Sequence, residues 1–231
     1  MWKNQYHKAV TFSFDDGVTQ DKRLAEMLNR YHLKATFNVN TALNSSTPAF
    51  EDEGIWIKHL NHEELKRVLF GHEIAVHGHV HADLRQLSQN EIVDEIEHNR
   101  LEIHRIYGKM PIGMAYAFGG FDERVEQVIS TLPIQYSRTI TSTHDFEIPR
   151  NLLVWNPTCS FSDESLEEIV DRFLQLPNDT DALLTIWGHS YELDAHHTWE
   201  RLEAVLKTLS SRSDVFFRTN SEVLLHQDNS I

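Results

Sequence analysis

Apolar positions along this chain repeat with two different periods, and the two alternate from end to end. Short runs rich in β-branched and aromatic residues read as strands at 9–17, 35–40, 73–76, 112–118, 135–140, 152–155, 182–187 and 214–218. Between them the apolar residues fall at helical spacing. Leu24, Met27, Leu28 and Tyr31 mark a helix over 20–31, and Ile92, Ile96, Ile103 and Ile106 mark a long one over 88–107. Further helices are predicted at 62–69, 122–131, 162–176 and 197–210, with a short one from Ser221. Asn61 with Glu64, and Ser88 with Glu91, have the spacing of capping boxes, and Ser162 is placed to cap the helix that follows it.

Strand–helix alternation of this kind predicts an α/β fold. The strand runs read as apolar throughout, which implies burial on both faces, as in a parallel sheet wrapped by helices. About seven or eight strands in 231 residues predict an irregular (β/α) barrel, with an open doubly wound sheet as the alternative. No linker, repeat or low-complexity stretch interrupts the pattern, so residues 1–231 are expected to form one domain. No glycine-rich phosphate loop follows the first strand, which argues against nucleotide binding. The polar segment from Thr41 to Asn61 is long enough to be a functional loop.

The chemistry lies at the strand exits. Asp15 and Asp16 end the first strand, Asn40 the second, His77 the third and His189 the seventh. Both candidate folds bind ligands at the carboxyl ends of their strands, so residues far apart in sequence can converge there. Two adjacent acids at the end of a buried strand need partners, because unpaired buried charge is costly. His77-Gly78-His79-Val80-His81 supplies three imidazoles. In an extended chain His77 and His79 share a face; in a helical turn His77 and His81 do. Gly78 directly after a strand favours the turn. Two imidazoles and a carboxylate suit zinc or another divalent ion. Taken singly, each group also reads as an ordinary solvated loop or a structural histidine; their agreement at strand exits favours a site.

Composition narrows the partners. Acids outnumber bases 35 to 21, a formal net charge of −14, which disfavours nucleic acid and anionic membranes. The single cysteine, Cys159, excludes an intrachain disulfide and fits a reducing compartment. The amino terminus lacks the apolar core of a signal peptide, and no stretch approaches the roughly 18 apolar residues of a membrane span. A cytoplasmic location is the expectation.

With these residues in place the chain resembles the NodB-homology polysaccharide deacetylases, the fourth family of carbohydrate esterases. Thr11–Gly17 matches the family's first motif, His77 and His81 its His-x-x-x-His motif, and Leu184–His189 its late apolar strand ending in histidine. The resemblance runs from about residue 9 to 220. It implies an irregular barrel, a divalent metal (usually zinc) and hydrolysis of an N-acetyl group on an amino sugar. Carried over by position, it makes Asp16, His77 and His81 the metal ligands, Asp15 the general base and His189 the general acid. An oxyanion donor is expected among the backbone amides at Phe118 and Gly119, and Tyr191 and Glu192 are candidate substrate contacts.

Two positions depart from the family pattern. Gly78 stands where a serine or threonine is common. Ala115-Tyr116-Ala117-Phe118 stands where an Arg-Pro-Pro-Tyr segment is usual, and the family arginine there orients the base carboxylate. Arg138 is the candidate substitute, with Arg150 behind it. The family's Asp-Trp motif has no clear match, although Trp155 lies in its region. The leading expectation is a metal-dependent hydrolase of the amide bond in an N-acetylated sugar or oligosaccharide. The alternatives are a non-sugar amide or cyclic-imide hydrolase on the same scaffold, and a catalytically silent carbohydrate-binding barrel.

Overall fold

The structure, a computed structural model, describes Trp2 and residues 6–43 and 49–225. Its organising strand is β1 (Lys8–Asp16), which is buried along its whole length. Around it stand β2 (Thr36–Val39), β5 (Glu73–Val76), β6 (Gly113–Ala115) and β7 (Tyr136–Arg138) on one side, and β9 (Ala182–Gly188) and β8 (Cys159–Ser160) on the other. The order is β7-β6-β5-β2-β1-β9-β8, and every pairing is parallel. A short β10 (Val215–Phe217) pairs with the beginning of β1, and β3 (Phe50–Asp52) with β4 (Ile55–Ile57) forms a separate hairpin. The seam between β7 and β8 is spanned by irregular chain. There Trp155 N donates to the Ser137 carbonyl, Thr139 N to Trp155, and Thr158 N to Thr185. The result is an α/β fold with a curled parallel sheet, a distorted (β/α) barrel.

The helices are α1 (Asp21–Arg30), α2 (His62–Val68), α3 (Gln89–Tyr107), α4 (Glu123–Ile129), α5 (Leu166–Gln175), α6 (Ser190–Ala195), α7 (Trp199–Ser210) and α8 (Asn220–Leu225). Both predicted capping boxes form, at Asn61/Glu64 and Ser88/Glu91. None of the described helices is long and apolar enough to cross a membrane.

Strand parity separates two interiors. Val10, Phe12 and Phe14 of β1, Phe37 and Val39 of β2, Val76 of β5 and Leu184 and Ile186 of β9 face the helices in one large apolar core. The alternate residues face the barrel lumen, and they are largely polar: Thr11, Ser13 and Asp15, then Thr36 and Asn38, Tyr136 and Arg138, Thr185 and Trp187. Burial on both faces is therefore as expected, but the strands are not apolar on both; the lumen face alternates polar residues in register. A second apolar cluster of Trp2, Ala9, Tyr136, Trp155, Leu183, Val223 and Leu224 plugs the base of the lumen.

β6 contributes almost no side chain to that lumen. Gly113 and Ala115 pair with Tyr136 and Arg138 of β7, so the two large side chains cross the space the small ones leave. A Cβ on Gly113 would lie 1.9 Å from Cζ of Tyr136.

Several elements differ from the sequence reading. Leu152–Val154 is one 3-10 turn rather than a strand, because the Asn151 side chain accepts from Leu153 N and starts it. The strand in that region is Cys159–Ser160. The predicted helix 162–176 begins only at Leu166, since the Asp163 carboxylate accepts from Ser165 N and holds a turn. Ser162 does not cap it. The predicted strand 112–118 stops at Ala115, and a tight turn follows at Ala117–Gly119. The loop expected over 41–61 contains the β3–β4 hairpin, and its residues 44–48 lie outside the described residues. Helix α6, directly after His189, was not expected.

Gly113→Ala should lower stability by about 1–3 kcal/mol, the range for overpacking a filled interior. Urea denaturation would measure it, and adding Tyr136→Leu should restore part of the loss by clearing the collision.

Candidate active site

The strand exits meet at one end of the barrel. Asp15 lies on the lumen face of β1 at 1% exposure, and its carboxylate receives Arg138 Nη2 at 2.5 Å and Asn38 Nδ2 at 2.8 Å. Arg138 is wholly buried; its Nε donates to Ser13 Oγ at 2.9 Å and its Nη1 to the Thr139 carbonyl at 2.8 Å. Its guanidinium lies 4.6 Å from the centre of the Trp187 ring. Arg138 and Ala115 are partners in the sheet register, so the cation reaches Asp15 from the strand beside the position where the family pattern has its arginine. Arg150 is exposed and takes no part. Burial alone would raise the Asp15 pKa; Arg138, His77 and His189 outweigh it and hold the carboxyl below its ordinary range.

Asp16 and the two motif histidines form a separate group. One ligating atom from each of Asp16, His77 and His81 lies within 4.8 Å of the others. His77 Nε2 is 3.4 Å and His81 Nε2 3.6 Å from Asp16 Oδ1. Such spacing suits donors each about 2.1 Å from a shared ion. His77 Nδ1 lies 2.9 Å from the Ala115 carbonyl, which assigns the proton to Nδ1 and leaves the Nε2 lone pair facing Asp16. Burial pushes the His81 pKa down to about 4, so His81 is a neutral donor near pH 7. The donor set and the fixed tautomer both fit a divalent ion.

His77 and His81 come together, with ring centres 4.8 Å apart, but not through the expected helical turn. Residues 78–83 form an open loop wound around the Glu95 carboxylate, which accepts Val80 N at 2.8 Å and Ala82 N at 3.3 Å. Gly78 is required there: its φ is +83°, and a Cβ would lie 2.7 Å from Glu95 Oε1. Asn40, predicted at the strand exit, holds the same loop by donating to the His77 and Gly78 carbonyls at 2.6 and 2.9 Å. Asn99 accepts from His77 N at 3.1 Å.

His189 Nε2 lies 4.0 Å from a carboxylate oxygen of both Asp15 and Asp16. Its other nitrogen meets Glu192 Oε1 at 2.8 Å, and Glu192 Oε2 accepts Ser162 Oγ at 2.6 Å. Glu192 therefore stands behind the histidine and not on the pocket wall, contrary to its expected place as a substrate contact. Burial lowers the His189 pKa, but the Glu192 bond and the charges of Asp16 and Asp15 carry it up to about 9. Tyr191 stacks on His189 at 5.1 Å and meets Phe50 of the hairpin edge-on at 5.6 Å. Gly119 N donates to the Tyr116 carbonyl, so of the two amides expected as oxyanion donors that of Gly119 is already committed and Phe118's is left. Cys159 is buried, its thiol pushed up to about 12, which removes it as a nucleophile.

Ser13, Asn38, Glu95 and Asn99 were missed in the sequence. For Ser13 and Asn38 a signal exists, since Thr11-x-Ser13-x-Asp15 and Thr36-x-Asn38 put polar residues on alternate strand positions. Asp21 was missed as a contact too. Buried, with a pKa raised by burial to about 8, it accepts Ser190 Oγ at 2.6 Å and Val18 N at 3.0 Å, tying the exit of β1 to the start of α6.

Asp15, Asp16, His77, His81 and His189 line a cavity of about 600 Å³. Similar folds carry related descriptions. The chitin deacetylase of Colletotrichum lindemuthianum is 19% identical over 100% of this chain and 92% of its own, with a TM-score of 0.62. A family 4 acetyl xylan esterase from Clostridium thermocellum, bound to a cobalt ion, is 21% identical over 94% and 91%, also with a TM-score of 0.62. The Streptococcus pyogenes deacetylase PplD, in complex with acetate, is 23% identical over 62% of this chain, with a TM-score of 0.52, and the match spans 61% of that protein. No curated protein matches the chain. At these identities the likeness concerns the fold. The sequence itself carries the family assignment: the family model described as polysaccharide deacetylase matches residues 3–137, more than half of the chain and the part that holds both acids and both motif histidines, so the chain belongs to that family.

Proposed function

We propose that this protein is a metal-dependent deacetylase that hydrolyses the N-acetyl group of an amino sugar or short oligosaccharide. The observation that carries the reading is the division of labour between two adjacent carboxylates, Asp16 among imidazoles and Asp15 on a buried guanidinium. Asp16, His77 and His81 would hold the ion, with zinc expected. When bound, a divalent ion supplies Lewis-acid activation of water and of the amide carbonyl. Asp15, kept ionised by Arg138, accepts the proton of the attacking water. The Phe118 amide is the backbone donor available to the developing oxyanion. His189, protonated at neutral pH and oriented by Glu192, gives a proton to the departing nitrogen, which leaves poorly as an anion. The positioning role of Arg138 replaces the arginine absent at Ala115.

Purified protein should carry about one divalent ion per chain by elemental analysis, and His77→Ala should lose it. Asp15→Asn should keep the ion while acetate release from N-acetylglucosamine oligomers falls roughly 100-fold or more. A wild-type protein that holds the ion yet releases no acetate from such oligomers would overturn the proposal.

The acid makes a second expectation. Glu192→Gln removes the largest influence raising the His189 pKa, so its titration midpoint should fall from about 9 toward the ordinary histidine range. Because the acid works protonated, the alkaline limb of activity should move to lower pH. Histidine NMR of the metal-free protein and a pH–rate profile measure the two effects independently.

A further inference from the structure

Seven large apolar side chains are exposed among the described residues: Phe50, Trp56, Phe70, Val80, Leu101, Phe118 and Ile140. Four of them, Phe50, Val80, Phe118 and Ile140, line the same cavity as Asp15 and His189. They come from separate parts of the chain: the β3–β4 hairpin, the loop holding His81, the turn after β6 and the segment after β7. Their convergence on one mouth is therefore built by the fold and does not follow from a single apolar stretch.

Phe118 carries the strongest sign of selection for this place. Its φ is +56°, in the left-handed region that a bulky residue adopts only at a cost. Its ring is 61% exposed and lies 4.5 Å from that of His81. Both the backbone strain and the exposed ring are unfavourable in the protein alone. The second is removed when an apolar group covers the ring.

The rest of the wall has the same character. Leu43, Ala49, Trp187 and the ring of Tyr191 continue it beside His59, while the hydroxyl of Tyr116 is already bonded to the Leu153 carbonyl. We infer that the substrate bears an apolar substituent, alkyl or aryl, beside its acetamide, and that Phe50, Val80, Phe118 and Ile140 select for it. This rests on the deacetylase reading and names the substrate class within it: an amphipathic N-acetylated amino sugar.

The test compares N-acetylglucosamine with its hexyl β-glycoside on the metal-loaded protein. The acetamide is the same in both, so any difference comes from the substituent. Calorimetric binding to Asp15→Asn, which turns neither compound over rapidly, should be at least roughly tenfold tighter for the hexyl glycoside. Acetate release by the wild type should favour it in kcat/KM by a similar factor. Val80→Ser and Ile140→Ser alter exposed side chains, so folding is preserved, and each should reduce the binding ratio toward one. Equal binding of the two compounds overturns the inference, as does a preference that both variants leave unchanged. A concentration-dependent dimer in sedimentation, dissolved by Ile140→Ser, would assign the patch to a second copy and overturn it too. Tighter binding of the hexyl glycoside without acetate release from either compound supports the apolar mouth and overturns the deacetylase reading alone.

Discussion

Asp15 and Arg138 are both almost wholly out of water, and the architecture of this end of the barrel follows from keeping them together. A buried ion pair is stable only when geometry is good and the remaining hydrogen-bonding capacity is met; breaking one partner away leaves an uncompensated charge. Here the remaining capacity is met by the lumen faces of neighbouring strands. Ser13 Oγ meets Arg138 Nε and the side-chain amides of Asn38 and Asn220, and Asn38 also reaches Asp15. The polar lumen is thus a solvation shell made of side chains, fixed in place before any substrate arrives. That rigidity is what a buried carboxylate needs if it is to stay ionised without a shell of water.

The same pair explains why β6 is so bare. An arginine that starts on β7 must cross the lumen to reach β1, and the crossing passes over β6. Ala115 and Gly113 leave that route open for Arg138 and for Tyr136 below it. Ala115 is the register partner of Arg138, and its carbonyl meets His77 Nδ1 and fixes that tautomer.

Much of this was legible in the sequence because it depends on period and local chemistry. The strand exits and the caps at Asn61 and Ser88 follow from residue type at a known position along an element, and so does the meeting of Asp16 with His77 and His81; Arg138 stands out only against the family pattern at Ala115. What was not legible depends on contacts between distant segments. Leu152–Val154 has the composition of a strand, yet the Asn151 side chain turns it, and pairing passes to the two residues at Cys159–Ser160. Glu192 reads as a polar loop residue until α6 is seen to fold it back onto His189. Glu95 gives no local signal at all, since its task, gathering the amides of the His81 loop, exists only once α3 packs beside that loop. The alternation of β1 could have been read: Thr11, Ser13 and Asp15 share a face, but Phe12 and Phe14 between them made the whole run look apolar.

Two neighbouring residues on a regular strand point to opposite faces, so Asp15 and Asp16 should not serve one site. With Asp15 in the lumen, a regular Asp16 would turn toward the helices, among Phe14, Phe37 and Val39, where its charge would have no partner. Instead Asp16 has a φ of +79° and the following glycine one of +69°. Aspartate tolerates this left-handed region better than most residues, and glycine adopts it freely. The rotation swings the second carboxylate back over the strand end to His77 and His81, while Asp15 keeps its place on Arg138. The Asp-Asp-Gly sequence is therefore a single device. The strand positions the first acid, the backbone reversal recovers the second, and the two carboxylates emerge side by side with different partners and different charges to balance.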